Sequence, residues 1–147
     1  SNWNVGKGTT FRTMFGQAEK FNQDISAWDV GKAKSFLFMF YGASAFNAEL
    51  SKWNVGRVTN FQSMFTGATA FQSDLKDWNV ANSRTFNSMF FQSSVFNSDL
   101  SKWQVNTGKD FAGMFSYATQ FNSDLQNWDV SRSTSFQSMF QSATAFQ

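Results

Sequence analysis

The chain has 147 residues with no Cys, His or Pro, and its 12 basic against 10 acidic side chains leave a net charge of +2. Without Cys or His there is no disulfide framework, zinc finger, haem ligand, thiol nucleophile or Ser-His-Asp triad, which counts strongly against a conventional hydrolase or metalloenzyme and implies no cofactor. The charge balance gives no strong field for nucleic acid or anionic lipid. No apolar run approaches the ~20 residues of a membrane helix, and an aromatic content of 19% is too high for disorder.

The aromatic residues are in register. All six Trp recur every 25 residues, at Trp3, Trp28, Trp53, Trp78, Trp103 and Trp128, and the six Met do the same at Met14, Met39, Met64, Met89, Met114 and Met139. Val follows each Trp by two residues. Of the 20 Phe, only Phe38 and Phe91 stand outside the frame. An Ala row (Ala18, Ala43, Ala68, Ala118, Ala143) is interrupted by Ser93. Self-similarity at a fixed period sets the architecture before local propensity does. The chain reads as one repeat array with units 1–25, 26–50, 51–75, 76–100, 101–125 and 126–147.

Two periodicities lie within a unit. Phe61, Met64, Phe65, Ala68 and Phe71 follow the spacing of one face of an α-helix. The residue before that run is a capping type in every unit: Thr10, Ser35, Asn60, Thr85, Asp110 and Ser135. The spacing therefore predicts a short helix per unit. Leu50, Trp53 and Val55, with polar residues between, predict a short parallel strand. The intervening Phe-Asn/Gln-x-Asp/Glu-Leu/Ile segment reads as turn chemistry.

A helix this short is unstable alone, so stacking on neighbouring units must supply its stability. The expected fold is an α/β solenoid of short helix plus short parallel strand. Strands stack ~4.8 Å apart and helices pack ~8–10 Å apart, so the array is expected to curve into a leucine-rich-repeat-like arc with the strands inside.

Phe21-Asn22-Gln23-Asp24-Ile25-Ser26-Ala27-Trp28-Asp29-Val30 followed by Met39-Phe40 and Ala43 resembles the BspA-type bacterial surface-protein repeat, as does Trp53-Asn54-Val55 followed by Val58-Thr59 and Met64-Phe65. That repeat also occurs in mycoplasma lipoproteins and in protein families of marine protists. The resemblance covers the whole chain and implies a right-handed solenoid related to leucine-rich repeats, placement at the cell surface or outside it, and a role in adhesion or protein interaction. The family commonly has Met where this chain has Phe11, Phe36, Phe61, Phe86, Phe111 and Phe136, and only Val58-Thr59 keeps its Val-Thr pair. With no Cys, a lipoprotein anchor cannot be read here.

Several rows invite a chemical reading. Asp24, Glu49, Asp74, Asp99 and Asp124 would lie together on a stacked array, as calcium ligands do, but turn capping is the simpler expectation. Asn and Asp interchange after each Trp, which suits a hydrogen-bond acceptor and not a catalyst needing one carboxyl pKa. The Trp and Met rows are expected in the core. Lys7, Lys32, Arg57 and Arg132, with Lys34, Arg84 and Lys109 nearby, form a mild basic stripe suited to solvated turns or, as the alternative, weak contact with anionic glycan or lipid.

The array has no cap repeats. Trp3, Phe11 and Phe15 at one end and Phe136, Phe140 and Phe146 at the other follow the full repeat pattern, and are expected to be covered either by more of a longer chain or by end-to-end assembly. The functional expectation is a non-enzymatic cell-surface or secreted module for protein interaction, adhesion or structural support, without nucleic-acid binding or membrane insertion. The alternative is a self-assembling extracellular fibre or sheath subunit stacking head to tail. Ice or crystal-surface binding through Thr69, Thr119 and Thr144 ranks below both, because Glu19, Ser44 and Ser94 interrupt that row.

Overall fold

The run from Phe61 to Phe71 is where a helix and any other backbone make different demands on the N–H groups. In the computed structural model, which describes residues 3–147, the helix loses. An α-helical N–H reaches the carbonyl four residues back. Here Met64, Thr66 and Ala68 donate to Phe61, Ser63 and Phe65, three residues back, at 3.0–3.4 Å. The N–H groups between them, on Phe61, Ser63, Phe65 and Gly67, donate to Thr85, Asn87, Met89 and Phe91 of the next unit at 2.8–3.1 Å. Local turn bonds and inter-unit bonds therefore alternate residue by residue. Each unit is a coil of linked tight turns laid on the next coil.

This alternation requires the chain to reverse its peptide planes between turns, and two residues per coil do so. One register position (Thr13, Phe38, Ser63, Ser88, Gly113, Ser138) and another four residues on (Gln17, Gly42, Gly67, Gln92, Tyr117, Ser142) have positive φ in all six coils. Such a conformation costs a non-glycine residue roughly 1–2 kcal/mol. The conserved geometry means that the inter-coil bonds and the packing beneath them offset that cost every time.

The expected α/β solenoid of helix plus strand is accordingly wrong. Among the described residues there is no helix, and strand pairing is confined to isolated parallel bridges that join Thr10, Ser35, Asn60, Thr85, Asp110 and Ser135 in turn. The residues taken as helix caps are these bridge residues. Their capping chemistry survives in smaller form: side-chain oxygens of Ser35, Asn60, Thr85 and Asp110 accept the N–H two residues on, at 2.8–3.3 Å. The Trp53–Val55 segment makes no ladder of its own and lies between two turns, closed by Trp53 donating to Leu50 at 3.0 Å and Val58 to Val55 at 2.9 Å.

The leucine-rich-repeat-like arc falls with its premise. It needed a helix layer more widely spaced than a strand layer, whereas the Phe15 ring row steps by 5.5–5.7 Å and the Phe21 row by 5.8–6.1 Å.

The side-chain periodicity holds although the helix does not. Phe61, Met64, Phe65, Ala68 and Phe71 are all fully buried, and so are their counterparts in the neighbouring coils. Within a coil, rings such as Phe40 and Phe46 stack at 3.8 Å, and between coils Phe40 stacks on Phe65 at 5.6 Å. The core is one continuous aromatic stack. Trp ties the coils by a directed bond as well: the indole Nε1–H of Trp53, Trp78, Trp103 and Trp128 donates to the carbonyl 28 residues back, on Ile25, Leu50, Leu75 and Leu100, at 2.9–3.1 Å. The buried Nε1 of Trp28 has no partner among the described residues.

Two predictions follow from the backbone. Thr13→Gly, at an exposed β-branched residue with φ of 56°, is expected to stabilise the fold by about 0.5–1 kcal/mol in urea unfolding, whereas a helix would lose about that much. Trp78→Phe is expected to destabilise more than Trp28→Phe by about 1–2 kcal/mol, because the first loses an indole bond and the second removes an orphaned donor. Equal losses would refute the assigned role of the indole bond.

Candidate functional site

Each coil places its polar residues where the turns leave backbone groups free, and that occupation decides which rows remain available for chemistry. In the acidic row, one carboxylate oxygen of Asp24, Glu49, Asp74, Asp99 and Asp124 accepts the N–H two residues on, at 2.8–2.9 Å. In the row after Trp, the side-chain oxygens of Asn4, Asp29, Asn54, Asn79 and Asp129 do the same at 3.0–3.3 Å. Both rows are turn-closing acceptors. No group of three or more acidic residues converges on a common point among the described residues.

These contacts set the charge states. Asp99 is held well below the usual carboxylate range, first by Lys76 and then by Ser101. Ser26 lowers Asp24, Ser51 lowers Glu49 through its N–H, and Ser131 lowers Asp129. The Asp99 carboxylate in turn raises Lys76. Lys102 pairs with Asp77 at 3.2 Å in an open position.

Other polar rows bind one coil to the next. Asn47, Gln72 and Asn122 donate their N–H to the Asn side chain 25 residues back, each at 2.8 Å. The hydroxyls of Thr69, Thr119 and Thr144 donate to carbonyls of the preceding coil at 3.1–3.4 Å, so the row considered for ice binding is hydrogen-bonded to its own backbone. A buried serine row was not anticipated from the sequence. Ser73, Ser98 and Ser123 accept the N–H of Leu50, Leu75 and Leu100 at 2.8–2.9 Å, and Ser73 and Ser98 donate to Glu49 and Asp74. The recurrence of Ser at one register position in three successive units was its signal. Ser93, the break in the Ala row, is buried and donates to Phe65 O at 2.6 Å.

The Met row is buried from Met39 to Met139, with Met14 open at the first coil. Trp28, Trp53, Trp78 and Trp103 are buried and Trp128 half-buried. Of the residues assigned to the array ends, Trp3 is 59% and Phe136 42% exposed, Phe15, Phe140 and Phe146 are half-buried, and Phe11 is buried. The basic stripe Lys7, Lys32, Arg57, Arg132, Lys34, Arg84 and Lys109 is exposed throughout.

Between the first and last coils, the large outward-facing aromatic side chains lie on the tight-turn edge. Phe38 meets Tyr41 edge-on at 5.7 Å, and Phe91 meets Tyr117 at 5.8 Å. Both Tyr are exposed and both Phe half-buried. Phe38 and Phe91 are the two Phe that the repeat frame left over.

A family model described as "Mycoplasma protein of unknown function, DUF285" matches residues 1–75 and 48–147. No curated protein and no solved structure matches the chain.

The lowered carboxyls give a pH dependence with a definite sign. A group whose pKa is depressed by folding stabilises the fold above its unfolded value, and that contribution is lost as pH falls through the folded value. Thermal stability is therefore expected to decline below about pH 4, and Asp99→Asn to flatten the decline. Lys76, raised by folding, contributes below its ordinary value of 10.5 and loses that contribution at higher pH. A melting temperature constant from neutral pH to strong acid would contradict this.

Proposed function

Since the chain belongs to the repeat family described as Mycoplasma protein of unknown function, DUF285, we propose that it is a non-enzymatic cell-surface or secreted module that binds a protein partner, of the BspA-type kind its repeat resembles. The observation that carries this reading is the pair of outward aromatic clusters, Phe38–Tyr41 and Phe91–Tyr117, which break the repeat on its solvent side. Exposed Tyr beside a second ring supplies apolar area, a hydroxyl and little side-chain entropy, the combination enriched in protein interfaces. Repeat stacking holds both clusters at fixed separation on one edge, which suits adhesion to an extended partner. The acidic residues favour the same side of the question, since interchangeable Asn and Asp closing turns do not supply a tuned acid or base. The exposed basic stripe adds weak attraction for anionic glycans. No helix of the described residues is long and apolar enough to cross a membrane.

The double variant Tyr41→Ser/Tyr117→Ser is expected to keep stability within about 1 kcal/mol, since both side chains are exposed. It should lower binding to immobilised extracellular proteins by about tenfold or more in surface plasmon resonance. Unchanged binding would remove the aromatic edge as the contact. Turnover of a substrate that disappears on substituting a single acidic residue would remove the non-enzymatic reading.

A further inference from the structure

The cations of this chain are not spread evenly over its surface. Seven of the 12 fall on two register positions of the turn that follows Trp-x-Val, two residues apart, and none of the 10 acidic residues falls on either. The first position holds Lys7, Lys32 and Arg57 in the first three coils, changes to Asn82 and Thr107, and returns to Arg132. The second position holds Arg84 and Lys109 in the two coils where the first has lost its charge. It holds Thr9, Thr59 and Thr134 in the first, third and sixth coils, where the first position keeps its charge, and Lys34 beside Lys32 in the second. Every coil therefore carries a cation on this strip, although neither position keeps one throughout. Solvation of a turn asks only for polarity, which Thr and Asn supply. Exchange of charge between the two positions answers to a need for a cation in each coil.

The fold sets this strip along the stack and holds it open. All seven side chains are exposed, and the residue between the two positions is buried in the middle coils, as Ala33, Val58 and Ser83, so both positions face out on the same side. The backbone locks the second position from coil to coil: Lys34 donates to Thr9, Thr59 to Lys34, Arg84 to Thr59, Lys109 to Arg84 and Thr134 to Lys109, at 2.7–2.9 Å. Pairing of this kind sets neighbours about 4.8 Å apart. Where the first position lacks a cation, Asn82 and Thr107 donate to carbonyls of the preceding coil at 2.7–2.8 Å and keep the register. Lys109 Nζ reaches Arg132 O at 2.8 Å, which joins the second position to the first across a coil boundary. The ion pairs of the described residues, Lys76–Asp99 and Lys102–Asp77, lie elsewhere. The carboxylates nearest in sequence, on Asp29, Asp110 and Asp129, accept backbone N–H groups two residues on at 3.0–3.1 Å and leave the strip without an ion pair.

Like charges one coil step apart lie within the Debye length of ~8 Å, so they act on a ligand together. We propose that the strip binds a linear anionic glycan, sulfated or uronic, which lies along the stack with its acid groups over the cations of successive coils. The length of one pyranose along an extended chain is close to one coil step. The Thr and Asn side chains among the cations offer hydrogen-bond groups to sugar hydroxyls. Other anions fit less well. Peripheral binding to a bilayer sets apolar side chains beside the basic ones, and the exposed large apolar residues, Trp3, Met14, Tyr41, Tyr117 and Phe136, occupy other register positions. Single-stranded nucleic acid stacks on aromatic platforms, which the strip lacks. An acidic peptide strand repeats its outward side chains every ~6.8 Å and falls out of step with coils ~4.8 Å apart. The inference rests on the extracellular placement of the proposed function and deepens its glycan contact, and it shares no residue with the aromatic edge.

Heparin and its size-fractionated oligosaccharides are the probe. The unaltered chain is expected to stay on immobilised heparin at physiological salt and to release as salt rises. In isothermal titration its affinity should grow with oligosaccharide length until the sugar chain spans the six coils, then level off. Lys32→Gln/Lys34→Gln/Arg84→Gln/Lys109→Gln empties the middle of the strip at exposed positions, so it should fold, as circular dichroism checks, and bind at least about tenfold more weakly. Arg12→Gln/Lys20→Gln/Lys52→Gln/Lys102→Gln removes the same charge from exposed positions off the strip and should stay within about twofold of the unaltered chain. Release of the unaltered chain below physiological salt would overturn the proposal, as would equal losses in the two variants or a disaccharide that binds as tightly as a dodecasaccharide. Tighter binding to phosphatidylserine vesicles than to heparin would overturn it in favour of a membrane surface. The aromatic-edge variant Tyr41→Ser/Tyr117→Ser should keep its heparin affinity, and the strip variant its binding to immobilised extracellular protein, so the failure of either reading leaves the other standing.

Discussion

The alternation of backbone donors, one closing a turn within its coil and the next crossing to the neighbouring coil, is the constraint on which everything else in this molecule depends. A helix satisfies its N–H groups within itself and stacks by side chains alone. Here about half of the donors along the tight-turn run point down the stack, as Phe61, Ser63, Phe65 and Gly67 do, so a coil is incomplete without the next one. That dependence fixes the 25-residue register, because a shift by one residue would exchange crossing donors for turn donors. It also explains why twelve of the described residues, nine of them not glycine, hold positive φ. The strain is local, and the bonds that offset it are shared between coils.

The core was legible in the sequence and the backbone that carries it was not. Rows of Trp, Met and Phe at a constant interval identify a stacked core without any assumption about secondary structure, and Phe36, Met39, Phe40 and Phe46 are indeed fully buried. The helix expectation failed because a chain of three-residue turns directs side chains inward at nearly the same spacing as a 3.6-residue helix. The distinguishing signal was Gly42, Gly67 and Gly113 at the two left-handed positions, with Ser and Gln at most of the others. Phe38, Tyr117 and Thr13 at those positions obscured it, since such residues rarely adopt this conformation. The strand expectation failed for a related reason. Trp53 and Val55 both point inward with exposed Asn54 between them, as on a strand, but their segment is pinned by turn bonds and by the Trp indole, and needs no ladder.

The polar rows show how a repeat with few charges stays in one register. Turn-closing Asp and Asn, the Asn side chains that accept from the next coil, and buried Ser73, Ser98 and Ser123 each satisfy a backbone group that the absence of helix and sheet would leave bare. An unmet buried donor costs about 1–3 kcal/mol, so a row of such acceptors repeated through the array penalises slipped pairings as well as stabilising the right one. The same occupation narrows the functional question. Residues committed to their own turns are poor candidates for metal or substrate, and the outward positions that depart from the repeat gain weight.

Repetition also separates the surfaces that can evolve from those that cannot. A side chain on the turn edge, such as Tyr41, can change in one coil without touching the register of the others, so the edge can acquire a binding patch at little cost to the fold. A residue on an end face has no such freedom while it keeps the core pattern. Trp3 and Phe136 are shaped to fit a coil, and any coil with matching donors and rings meets their requirements. The edge is therefore suited to an unlike partner, and the core rows to another coil of the same kind.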